Sequence, residues 1–118
     1  MRGNPVSTAP RGSEWLPNVV AGLTALGTTQ SNAFAIPSGQ DSSIFGTVAS
    51  GTGCALPGSG VGVGEDYEVA NHGTNALLVY PALGGNIGTL GANAGYSLAA
   101  GKLAWFRYVG TKQWTACP

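Results

Sequence analysis

From residue 18 onward the chain is a succession of short apolar runs cut by turn residues. Asn18 to Leu26 is apolar with β-branched residues and runs into Gly27-Thr28-Thr29-Gln30. Ala33 to Ile36 is stopped by Pro37-Ser38-Gly39. Ser43 to Val48 alternates in part, around Ile44 and Phe45, until Gly51-Thr52-Gly53 breaks it. Cys54-Ala55-Leu56 ends at Pro57-Gly58-Ser59-Gly60. The second half is more regular. Asp66 to Asn71 places Tyr67 and Val69 on one face and Glu68 on the other. His72-Gly73-Thr74-Asn75 reads as a hairpin-type connection into Ala76 to Tyr80, a mostly apolar run closed by Pro81. Gly84-Gly85-Asn86 is a turn, Ile87 and Leu90 are short apolar anchors, and Tyr96 to Leu98 is a further strand. Leu103 to Val109 sets Leu103, Trp105, Arg107 and Val109 on one face and Ala104, Phe106 and Tyr108 on the other. Gly110-Thr111-Lys112 then turns the chain into Gln113-Trp114-Thr115.

This pattern predicts about eight short strands and no helix. Asn18 to Leu26 is the one run with a helical alternative, and its valines, Gly22 and Thr24 weigh against it. Regular short strands between Gly- and Pro-rich turns point to an all-β fold, expected as an antiparallel β-sandwich of jelly-roll type. Residues 1–17 show neither period. They hold Pro5, Pro10 and Pro17 with Gly3 and Gly12, and read as an extended N-terminal arm before a single domain at 18–118. Such an arm is either a frayed terminus or a segment that lays Trp15, Leu16 and Pro17 on a neighbour, since a tryptophan left in water on a loose tail is unfavourable.

Composition changes this picture in one respect. Only 8% of the 118 residues are charged, five basic against five acidic, where about 25% is ordinary. A neutral surface attracts neither phosphate backbones nor anionic membranes, and it offers little repulsion against association. Nucleic acid and membrane are therefore not expected partners. Glycine contributes 20 residues without a Gly-X-Y period, which places it in turns and bulges. The first residues lack the apolar core of a signal peptide, and no stretch approaches the ~20 apolar residues of a membrane span, so synthesis in a cytoplasm is expected. Cys54 and Cys117 are then expected as free thiols, with a disulfide between them as the alternative after release into oxidising surroundings.

Candidate chemistry is sparse. The single histidine, His72, sits in a turn with no nucleophile or acid at a suggestive spacing. Glu65, Asp66 and Glu68 are the only acidic cluster; a solvated strand end fits better than a Ca²⁺ site needing six to eight oxygens. One histidine and two distant cysteines do not make a zinc site. The Gly58–Gly64 run has no phosphate-loop context, and Arg2, Arg11, Lys102, Arg107 and Lys112 are scattered. No enzyme activity and no cofactor are expected. Trp105, Phe106, Tyr108 and Trp114 concentrate aromatic mass near the C-terminal strands, as core or as a subunit interface; a sugar-binding platform is the further alternative, with no cluster of carboxylates or amides in the sequence to accompany it.

Four stretches carry a family resemblance: A-G-L-T-A-L-G-T-T-Q-S-N-A-F-A-I at 21–36, D-Y-E-V-A-N-H-G-T-N-A-L-L-V-Y-P at 66–81, G-G-N-I-G-T-L at 84–90, and Y-S-L-A-A-G-K-L-A-W-F-R-Y-V-G-T-K-Q-W at 96–114. Together, across residues 20–115, they resemble virion structural β-domains of tailed bacteriophages. The resemblance implies a non-enzymatic capsid decoration or cement protein, bound to the major capsid protein on the outer capsid surface and bridging neighbouring subunits. It also implies self-association, commonly as a trimer. A receptor- or glycan-binding module of a tail or head fibre is the alternative within the same group.

Overall fold

The computed structural model describes residues 17–118. Ten strands follow in order: β1 (Val19–Thr24), β2 (Phe34–Ala35), β3 (Ser42–Thr47), β4 (Gly53–Ala55), β5 (Asp66–Asn71), β6 (Leu77–Tyr80), β7 (Asn86–Ile87), β8 (Tyr96–Leu98), β9 (Leu103–Gly110) and β10 (Gln113–Cys117). A single 3-10 turn, Gln30–Asn32, is the only helical element among the described residues.

Up to β9 the strands fall alternately into two sheets, and β10 stays in the sheet of β9. A six-stranded sheet has the order β1-β3-β5-β9-β10-β7, and a four-stranded sheet has the order β2-β4-β6-β8. Neighbours β1 and β3, β3 and β5, β2 and β4, and β4 and β6 all pair in parallel. The chain therefore winds between the two sheets as a β-solenoid of about 4 turns. The expected antiparallel jelly-roll sandwich is incorrect. Strand positions follow from hydrophobic period, but strand direction does not, and an arch that crosses to the opposite sheet uses the same residues as a hairpin. His72-Gly73-Thr74-Asn75 is such an arch: β5 and β6, which it joins, lie in different sheets.

Coils stack with side chains in near register. The Asn18 N–H donates to an Asp41 carboxylate oxygen at 2.7 Å, 23 residues on, and the Ser42 hydroxyl donates to Glu68 at 2.6 Å, 26 residues on. Close stacking dictates glycine at Gly53, where a Cβ would run into the Leu78 carbonyl oxygen of the next coil. Asn71, wholly buried, fixes the arch after β5. Its amide nitrogen donates to the carbonyls of Asn75 and Leu98 at 2.8 and 2.9 Å, and its side-chain oxygen accepts from the Gly73 N–H at 2.9 Å. Asn75 in turn donates to the Val48 carbonyl of the preceding arch at 2.9 Å.

After β6 the winding changes. β8 and β9 lie antiparallel to β6 and β5, and β10 folds back antiparallel on β9. β7 pairs in parallel with β10 and so has the direction a fourth coil needs, but the β9–β10 hairpin stands between it and β5. The core fills the space between the sheets. Phe45, Tyr67, Val69, Ala104, Phe106 and Trp114 enter from one side, and Cys54, Leu77, Val79 and Leu98 from the other. Trp114 is packed edge-on by Tyr67 and Tyr108, with ring centroids 5.7 and 5.1 Å away. Each such side chain contributes about 1.5–3 kcal/mol by leaving water.

Candidate functional site

The face of the six-stranded sheet turned away from the core carries the densest chemistry among the described residues. Alternation on β5 and β9 sends Tyr67, Val69, Ala104 and Phe106 inward, which puts Asp66, Glu68, Trp105 and Arg107 outward. Register then sets them in two rows. Asp66, Arg107 and Thr115 are cross-strand partners, as are Glu68, Trp105 and Cys117. Successive rows on one face lie two residues apart, about 7 Å.

Arg107 is held as a fork. Its Nε donates to one Asp66 carboxylate oxygen at 2.7 Å and its Nη2 to the other at 3.1 Å. The Asp66 side chain is 4% exposed while that of Arg107 is 59% exposed, so the carboxylate lies beneath and the guanidinium above it. The hydrogen-bonded guanidinium holds the Asp66 carboxyl below the usual carboxylate range, against the opposing effect of burial. The pair raises Arg107 above its ordinary value in turn. Asp66, half-buried Trp105, Arg107, Thr115 and Cys117 line a shallow depression of about 330 Å³.

Two neighbouring acidic groups have structural partners. Glu68 accepts from Ser42, and Glu65 accepts from the Tyr67 hydroxyl at 3.3 Å. Among the described residues no group of three or more His, Cys, Asp or Glu is placed to hold a metal ion. His72 is exposed and lines a groove of about 310 Å³ with Thr47, Thr74 and Asn75; among the described residues no carboxylate or thiol lines that groove.

The residues singled out from sequence are dispersed. Trp15 and Leu16 lie outside the described residues, as does the arm up to residue 16. Pro17 is half-buried just ahead of β1. Cys54 and Cys117 are both free thiols. Cys54 is wholly buried in β4 of the four-stranded sheet, where burial pushes its thiol far above the ordinary value, and Cys117 is exposed on β10 of the other sheet. The Asp66–Arg107 pair was not evident from sequence. Alternation puts Arg107 and Trp105 on one face, but the partner lies 41 residues away across a register that periodicity does not encode.

No family model matches the chain, and neither a curated protein nor a solved structure is found to be similar to it.

Proposed function

We propose that the protein is a non-enzymatic virion structural protein that decorates the outer surface of a capsid. It would bind the major capsid protein and bridge neighbouring subunits, self-associating as it does so, with a trimer as the expected form. The viral assignment rests on the resemblance of residues 20–115 to tailed-bacteriophage β-domains. One structural observation supports action by association: among the described residues, nothing covers the outer edge of the first coil. β1 is an edge strand of sequence V-V-A-G-L-T, and four of its six residues are exposed. Val19 is 51% exposed on it and Leu26, just beyond it, 48%. An apolar edge with unpaired backbone groups gains by being covered. A stable interface of about 1,200–2,000 Å² would remove this strand from water and stabilise a shell through the area it buries.

The test is co-sedimentation of the full chain with purified shells that lack it. Binding is expected, together with a raised shell melting temperature. Val19→Lys with Leu26→Lys places two charges on the edge and is expected to weaken binding at least about tenfold. Deleting residues 1–17 asks separately whether the arm contributes. A folded wild-type protein that leaves shells bare and unstabilised overturns the proposal.

A further inference from the structure

We infer that the outer-face depression between β5, β9 and β10 is a binding site for a neutral sugar ring. The site lies on strands other than β1, so it goes beyond the capsid reading and stands or falls separately from it. Three properties select the ligand class. The first is charge. Both Asp66 carboxylate oxygens engage Arg107, so the guanidinium is not a free cation for a phosphate, yet the Arg107 side chain remains 59% exposed with N–H groups beyond the two that Asp66 engages. A fixed, paired guanidinium beside the exposed Thr115 hydroxyl is a hydrogen-bonding rim for adjacent hydroxyl groups.

The second property is the indole of Trp105, one row away on the same face and about 7 Å along the strand. Its neighbour in register is Cys117, a small side chain. A flat apolar surface next to a polar rim matches a pyranose, which has a face of C–H groups and an equator of hydroxyls. The third is size. At about 330 Å³ the depression sits at the lower end of ligand pockets, about 300–1,000 Å³, the scale of one or two sugar rings. Asp66 acts as a positioning residue, fixing the guanidinium plane from beneath, while Trp105, Arg107 and Thr115 touch the sugar.

The experiment uses the full chain and methyl glycosides of glucose, galactose, mannose, rhamnose and N-acetylglucosamine, each at about 10 mM, where weak binding is visible. Saturation transfer to the glycoside and movement of the Trp105 indole N–H resonance, assigned by its loss in Trp105→Phe, are the readouts. At least one glycoside is expected to show both. Trp105→Ala is expected to weaken that binding about tenfold, and Arg107→Gln or Thr115→Val severalfold. Leu83→Ser, at an exposed position away from these strands, leaves it unchanged. Circular dichroism confirms that each variant is folded, and Trp105→Phe, which keeps a flat ring, retains most binding should Trp105→Ala fail to fold. No transfer from any of the five glycosides overturns the inference. So does binding that survives in folded Trp105→Ala and Arg107→Gln alike.

Discussion

The two ends of the solenoid solve the same problem differently. At the last coil the chain reverses, and β8, β9 and β10 cover the exposed edges of β6 and β5 with antiparallel partners. Phe106 and Trp114 enter the core there, 0% and 1% exposed. At the first coil nothing among the described residues pairs with the outer edge of β1, Val19 faces water while Val20 is half-buried, and its register with β3 slips between Val20 and Leu23, across Gly22, and again between Leu23 and Thr24. Gly22 has φ +74°, a left-handed conformation that glycine adopts without strain. A bulged, glycine-broken edge resists runaway strand addition while staying available to a shaped partner. One end is closed by a hairpin of the chain, and at the other β1 has no outer partner among the described residues.

The largest expected effect separates the ends directly. Trp114→Ala opens a cavity under the closing hairpin and is expected to cost about 3–5 kcal/mol in urea unfolding, whereas Leu23→Ala, on partly buried β1, costs about 1–2 kcal/mol. Equal losses would break the comparison. Asn71→Ala comes next. Asn71 ties the third coil to β8 through the Leu98 carbonyl, and its loss leaves buried acceptors unpaired, for about 2–3 kcal/mol by the same measurement. A smaller effect has the opposite sign. The β9–β10 turn holds Thr111 and Lys112 at φ 54° and 59°, the left-handed pattern of a two-residue type I′ hairpin. Replacing them with Asn-Gly should stabilise the closed end by about 1 kcal/mol, read as a higher midpoint with unchanged slope.

The smallest effect is visible only against pH. Asp66 titrates below its unfolded value of about 3.9, so folding favours its ionised form, and its contribution to stability is complete above about pH 4. It fades as the pH falls through the lower folded value. Wild type should therefore melt above Asp66→Asn at pH 7, and the gap should close in acid. A gap that persists or widens in acid would mean that the Arg107 pair is not its source.

Much of the strand pattern was legible in the sequence. Asp66–Asn71 and Tyr96–Leu98 have the bounds that alternation assigns them, and Leu103–Gly110 extends its predicted run by one residue. The inward and outward sets on β5 and β9 also follow from period two. Pairing did not follow. A strand such as D-Y-E-V-A-N shows the same alternation whether its neighbour runs parallel or antiparallel, and turn residues such as His72–Asn75 serve an arch as well as a hairpin. Strands as short as β2 and β7, with two residues each, have no period to detect. The sugar-binding candidate was half visible. Trp105 and Arg107 share a predicted face, but Asp66 and Thr115 join them only through register.

The position of β7 constrains the order in which the protein is made and folded. β7 leaves the ribosome before β9 and β10, yet its partner in the sheet is β10, and both later strands must settle between it and β5. At about 5–20 residues per second, the first three coils can stack while the rest is being synthesised. The strand that completes the six-stranded sheet cannot. β7 has no sheet partner until the β9–β10 hairpin arrives seconds later, so the six-stranded sheet is completed out of chain order.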